Sequence, residues 1–316
     1  MNYGYIDLHC DTLPMLLLKD RRLRDCAFHI DRARAQKLGR YAQFFSICTT
    51  CWKKRPDSEQ LYADCLTLYR KELEENRDWL AACGSREEVE AAWKSGKCAA
   101  LLSLEGAEAI GCDPGRLEEA ARDGVRMISL TWNHENALGG SHITGTGLTA
   151  QGREFVRRAQ KLGILIDVSH GSDRLFYDVC EIAEKPIVAS HSNSRYCTQV
   201  SRNLADDQFR CLVELGGCAG LNLCPEFLSW KSPVTVDDIR RHIDRWLELG
   251  GDGHICLGGD WDGIEGLPEG MEGVDGWALL PPHLRERGIA DDTIDRLTSG
   301  AILRVLEESG AQSLER

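Results

Sequence analysis

Eight apolar runs, each followed by a helix-patterned or loop stretch, constrain the fold of this chain more than any other feature. They are YIDLHCD near residue 5, YAQFFSICT near 41, CAALLSLEG near 98, RMISLTW near 126, GILIDVSH near 163, PIVASHS near 186, CAGLNLC near 218 and HICLGGDWDG near 254. Most are near-continuous in Ile, Val, Leu and Ala. Parallel strands buried on both faces look like this, because neither face meets water. Between them, REEVEAAWKSG, GRLEEAARDG, TAQGREFVRRAQKLG, DDQFRCLVELGG and VDDIRRHIDRWLELGG place apolar residues three to four apart and end at glycine, a helix stop. Asp237 or Asp238 is the candidate N-cap of the last. Eight such alternations predict an α/β chain folded as a (β/α)8 TIM-like barrel. The stretch from about 52 to 95 is long for one crossover and is read as a helical insertion after the second strand. No internal repeat or flexible linker interrupts the pattern, so residues 1–316 are expected to form one domain.

Charge narrows the partners. The formal net charge is -12, and an acidic chain is a poor binder of polyanions, which argues against nucleic acid and anionic membrane surfaces. No apolar run approaches the roughly 20 residues of a membrane span. The opening MNYGYIDLHCD has neither a basic nor an apolar leader segment, which predicts a cytoplasmic chain with no signal peptide. The fourteen cysteines are scattered, many in apolar runs, and read as reduced thiols serving as small core hydrophobes. Cys48-Thr-Thr-Cys51 is a lone CxxC with no second pair nearby, a weak signal for a structural metal.

The polar residues at the strand ends carry the functional signal. The first strand ends at His9, Cys10 and Asp11, the third at Ser103 and Glu105, the fifth at Ser169 and His170. The sixth ends at Ser190 and His191, and the eighth at Asp260 and Asp262. In a barrel these ends converge on one mouth, where barrel enzymes carry their sites. Strand parity is expected to aim them there. His9 and Asp11 share a face, and Glu105, His170 and His191 continue the rows Leu101/Ser103, Ile164/Ile166/Val168 and Ile187/Ala189. Each residue has a plainer reading. A lone strand-end His is more often a hydrogen-bonded structural residue than a ligand, Asp260 suits a turn or a cap, and Glu105 before Gly suits a solvated loop. Three His and three acids at one level of one barrel are harder to obtain from turns and caps. Such a set suits Zn²⁺ or a similar divalent ion, with ligands enough for two.

The pattern resembles the membrane dipeptidase (renal dipeptidase) family of metallopeptidases. The stretches IDLHCDTLP, LSLEGAEAI, GLTAQGREFVRRAQKLGILIDVSH, PIVASHSNSR, SRNLADDQ and GGDWDGIEGLPEG carry the resemblance across nearly the whole chain. It implies a distorted barrel with two zinc ions, a dipeptide substrate and a possible homodimer. By motif, His9, Asp11 and Glu105 would hold one metal, and Glu105, His170 and His191 the other, with Glu105 bridging. Arg202 matches the arginine that grips the substrate's terminal carboxylate, and Asp260 the acid that handles the proton. Three departures stand out. Trp132 occupies the place of a substrate-contacting His, with His134 two residues on as a stand-in. Cys224 or its neighbours replace a Tyr after the seventh strand, and Ala301 replaces an Asn near the C-terminus.

The expected reaction is hydrolysis of a dipeptide's amide bond. Two metals about 3.5–4 Å apart share a water and lower its pKa toward about 7. Arg202 selects a free carboxylate through two parallel hydrogen bonds, although a surface ion pair with Asp206 or Asp207 is its plainer reading. Another barrel hydrolase acting on cyclic amides or phosphoesters is the alternative, since those barrels often carry an HxH pair and a bridging lysine where this chain has HxD and Glu105. A catalytically silent binding protein and a thiol-based redox protein stand further off.

Overall fold

The computed structural model describes residues 3–24, 27–50 and 57–314. Nine strands run in parallel: β1 (Gly4–Cys10), β2 (Arg40–Cys48), β3 (Leu80–Ala82), β4 (Cys98–Glu105), β5 (Val125–Ser129), β6 (Leu165–Asp167), β7 (Val188–Ala189), β8 (Cys218–Leu221) and β9 (Ile255–Leu257). Pairing runs β2-β1-β9-β8-β7-β6-β5-β4, and β2 pairs with β4 to close an eight-stranded barrel. The barrel is distorted. β2 and β4 pair over seven residues, from Ala42 with Ala99 to Cys48 with Glu105, whereas β6 meets β7 only at Asp167 and Val188.

The insertion after β2 holds the expected helices, Ser58–Glu75 and Arg86–Lys94, and between them a strand absent from the sequence reading. β3 pairs with Cys98–Ala100 of β4, while β5 pairs with Leu102–Glu105 of that strand. One edge of β4 is thus shared end to end, and three residues of Leu-Ala-Ala carry no periodicity from which to read a strand. The helix Val236–Glu248 begins at Thr235 rather than at Asp237 or Asp238. The Asp238 carboxylate accepts the Thr235 amide at 3.1 Å, the N3 half of a capping box. Both aspartates lie in the first turn, where they suit the helix dipole.

Two apolar layers follow from the barrel. Inside it pack Ile6, Leu8, Phe44, Leu101, Met127, Leu165, Val188, Cys218 and Cys256. The helix Ala301–Ser309 closes the N-terminal opening with Ile302, Val305 and Leu306, each burial contributing about 1.5–3 kcal/mol. Ala301 lies in this plug. Outside, Ile128, Ile166, Ala189, Leu221 and Leu257 pack under the helices. Eight of the described cysteines are fully buried, which fits their reading as small apolar groups. Cys51 of the CxxC lies outside the described residues.

The layers correct two of the parity rows. Ile164, Ile166 and Val168, and likewise Ile187 and Ala189, face the helices rather than the lumen. Their partners Leu165 and Val188 point inward. Both faces of these strands are apolar, so the hydrophobic pattern did not distinguish them. The β4 row, Ala99 and Leu101, does face inward. Among the described residues no helix is long and apolar enough to cross a membrane.

Candidate metal centre

Each candidate ligand reaches the mouth by a different local device. On β1, three steps from Asp7 to Cys10 face two steps from Gln43 to Phe45 on β2. This bulge reverses the parity, as bulges do. His9 is thereby freed toward the other ligands, and Cys10 packs in the outer layer with its thiol on the Phe44 carbonyl. Asp11 is placed by its backbone amide, which donates to the Trp261 carbonyl at 2.8 Å. Glu105 ends the inward row of β4.

His170 and Asp260 are turned by backbone. Their φ angles are +66° and +60°, and Asp262 has +65°. Few side chains tolerate the left-handed region, and Asp and His are among those enriched there. The turn at Val168–Gly171 swings His170 into the site although its strand row faces outward. His191 lies two residues beyond the end of the two-residue β7, so strand alternation does not place it; its backbone amide donates to Ser169 Oγ at 3.1 Å. Gly263 completes the pocket, since a Cβ there would lie 2.2 Å from Asp11 Oδ2 and 2.6 Å from Asp260 Oδ1.

The result is one tight cluster. Glu105 Oε1 lies 2.9 Å from His170 Nε2 and 3.5 Å from both His9 Nε2 and His191 Nε2. His170 Nε2 and His191 Nε2 are 2.9 Å apart, and the His9 and His191 rings stack at 3.9 Å. His9 Nε2 is 3.9 Å from Asp11 Oδ2 and 3.8 Å from Asp260 Oδ1. Three ligand groupings lie within reach of a single ion each: His9/Asp11/Glu105, Glu105/His170/His191 and His9/His191/Asp260. His9 Nε2, Asp11 Oδ1 and Glu105 Oε2 are buried without a hydrogen-bond partner. Unpaired buried polar atoms are costly, and a cation between these imidazole nitrogens and carboxylate oxygens would satisfy them together. Three imidazoles with carboxylates are the donors Zn²⁺ takes, so the residues present fit a divalent metal.

The electrostatics agree. Burial alone would lower the His9 pKa, but Glu105, Asp11 and Asp260 outweigh it and raise it to about 10. Burial holds His170 and His191 well below the usual range, with Arg202 and His9 adding to it. Burial, with Cys48 beside it, pushes Glu105 well up, and burial also raises Asp260. His170 and His191 thus keep bare nitrogens for a metal, while His9 is drawn toward a positive charge by the carboxyls around it, the charge that a bound cation would supply instead.

The other sequence candidates are placed as follows. Arg202 is buried, with Nη2 3.4 Å from the His191 carbonyl and its guanidinium over the Phe227 ring. Among the described residues no ion pair holds it. Asp206 pairs instead with Arg245, and Asp207 accepts from Tyr177. The Trp132 ring lies 6.2 Å from that of His170. His134 is exposed, with its ring edge-on to Trp132 at 5.4 Å. Cys224 donates its thiol to Glu226 at 3.0 Å.

Six further residues shape the site, and of these only Ser190 is singled out from sequence, as a strand end. Asp7 accepts hydrogen bonds from Gly259, Trp261, Trp277, Gln43 and His9, binding β1 to the segment that carries Asp260. Asn222 donates to Asp260 Oδ2 at 2.9 Å. Asp167 accepts the Ser190 hydroxyl at 2.6 Å, and Ser190 Oγ lies 2.6 Å from His191 Nδ1. Asn133 and His142 stand behind His170. A single sequence marks none of the others, apart from the position of Asp7 two residues before His9.

Comparison with known proteins adds the family. The membrane dipeptidase (peptidase family M19) profile matches residues 2–315. An uncharacterised Klebsiella pneumoniae protein from the pqqA 5′ region is 32% identical over 254 residues, spanning 77% of this chain and 93% of that one. A metallopeptidase structure, dipeptidase AC of family M19, superposes with TM-score 0.89 at 27% identity, covering 98% of this chain and 99% of that chain. A Rhodobacter sphaeroides metallopeptidase, bound to a phosphinate mimic of the dipeptide L-Ala-D-Ala, gives TM-score 0.88 at 27% identity over 97% and 99%. The chain belongs to the membrane dipeptidase family, the M19 metallopeptidases, and is a hydrolase of that family.

Proposed function

We propose that this protein hydrolyses the amide bond of dipeptides with a free C-terminal carboxylate, using two divalent cations, zinc by donor chemistry. His9, Asp11 and Glu105 would hold one, and Glu105, His170 and His191 the other. The whole chain serves as one metallo-hydrolase domain. The observation that carries this reading is a buried ligand cluster with unpartnered donor atoms beside a buried arginine that, among the described residues, no carboxylate pairs with. Bound there, divalent cations lower the pKa of a shared water and polarise a carbonyl.

The protein's own groups do the rest. Asn222 pins Asp260 Oδ2, leaving Oδ1 turned toward His9. From there Asp260 orients the attacking water, takes its proton and returns it to the leaving amine. Arg202 spends one N–H on a carbonyl at 3.4 Å and keeps its remaining donors for the substrate carboxylate. Desolvation makes the pairing selective, since a buried guanidinium without an anion is costly. Trp132 lines the mouth beside His170, with His134 further out on the rim. The L-Ala-D-Ala mimic held by the Rhodobacter sphaeroides relative supports including D-residues among the substrates to be tried.

The test is a panel of L-Xaa-L-Xaa and L-Xaa-D-Xaa dipeptides with metal-reconstituted protein, each run beside a chelated control. Hydrolysis that disappears with chelator and returns with zinc is expected. No turnover on any dipeptide, or turnover indifferent to chelator, overturns the reading.

A further inference from the structure

Asn133 lies in the loop after β5, in the stretch LTWNHEN. Its Oδ1 is 2.8 Å from His170 Nδ1 and 3.0 Å from His142 Nε2. An amide oxygen can only accept, so each ring must present an N–H to it. That leaves His170 Nε2 with a bare lone pair, facing Glu105 and His191. It also leaves His142 Nδ1 bare, and Ser201 Oγ stands 2.7 Å from it, able to donate. Ser201 immediately precedes Arg202.

The backbone holds the same pieces together. The His142 amide donates to the His170 carbonyl at 2.7 Å, and Ser141 bridges Gly171. Hydrogen bonds from two sides therefore converge on Asn133 Oδ1, one from His170 and one from His142, which Ser201 backs in turn. Turning the Asn133 amide over would aim its NH₂ at both rings. His170 would then carry its proton on Nε2, the nitrogen that faces the cluster, and would lose its ligand lone pair.

We propose that Asn133, backed by His142, is a positioning residue that selects the His170 tautomer able to bind metal. The proposal rests on His170 holding a metal. Partners behind a ligating histidine commonly alter metal affinity by 10–100-fold. Asn133 is half-buried, so its replacement leaves the barrel core untouched.

The experiment measures metal affinity by equilibrium competition with a chromophoric chelator, for the parent, Asn133→Ala, Asn133→Asp and His170→Ala. Asn133→Ala should weaken one of the bound metals by roughly 10–100-fold. Asn133→Asp keeps an acceptor facing both rings and should bind at least as tightly as the parent. Nitrogen-15 shifts of the His170 ring in the metal-free parent should report the proton on Nδ1, and in Asn133→Ala a mixture of tautomers. An Asn133→Ala protein with parental affinity and parental ring shifts overturns the proposal, as does an Asn133→Asp protein as weak as Asn133→Ala. If His170→Ala itself binds metal like the parent, the metal-site reading fails instead.

Discussion

Asp260→Asn separates a proton-handling role from a structural or ligating one. Asn is tolerated at φ +60°, so the backbone of the turn survives. The amide is nearly the size of the carboxylate and fits the space left by Gly263. Asn222 still finds an oxygen acceptor, at the loss of a charge-assisted bond for a neutral one, about 1 kcal/mol. What disappears is the ability to take a proton. General acid–base groups contribute roughly 10²–10⁴-fold, so kcat should fall by about 10³, near 4 kcal/mol of barrier. Asp260→Ala is the poorer test because it adds the cost of Ala in a left-handed turn, about 1–2 kcal/mol. The assay is steady-state hydrolysis of one saturating dipeptide, with bound metal measured by elemental analysis on the same sample. A kcat within threefold of the parent at unchanged metal content refutes the role. Metal loss in proportion to kcat would make Asp260 a ligand, the alternative left open by its 3.8 Å approach to His9.

Arg202→Ala should raise KM about 100-fold for dipeptides with a free carboxylate, from the loss of a charged hydrogen-bonded pair of about 3 kcal/mol, and barely affect C-terminally amidated analogues; equal losses on both would reject the carboxylate grip. His191→Ala should lower the bound metal, and two full equivalents remaining would exclude it as a ligand. Asp7→Asn should cost about 3–5 kcal/mol, because N–H donors face both oxygens and either amide orientation leaves some unsatisfied. A melting temperature within a degree of the parent would show that those bonds are not what holds β1 to β9. Metal removal should lower the melting temperature, since an ion at 1,000 times its Kd stabilises by about 4 kcal/mol; identical melts with and without chelator would argue against tight binding.

Much of the barrel was legible because parallel strands buried on both faces are apolar throughout. That same property hid which face is which. Ile166 and Leu165 are equally apolar, yet one packs under a helix and the other inside the barrel. Short elements were also hidden. Leu80–Ala82 pairs with only three residues of β4, and no pattern of three residues announces a strand. The N-cap of the Val236 helix lies two or three residues before the cap candidates Asp237 and Asp238, and Thr235, Asp237 and Asp238 all have capping side chains. The choice among them depends on where the chain leaves the preceding loop.

The sequence by itself determined the class of fold, the order of its strands and the identities of the polar residues at their ends, since each is local chemistry repeated along the chain. Only the tertiary structure decided that His9, Glu105, His170, His191 and Asp260 meet within a few ångströms. It also decided that Arg202 lies buried without an ion pair among the described residues, and that Asn133 and His142 back His170. The reason is geometric. A bulge in β1 and left-handed turns at His170 and Asp260 override strand alternation, and barrel closure brings together residues as far apart as His9 and Asp260. Neither leaves a periodic mark in one sequence.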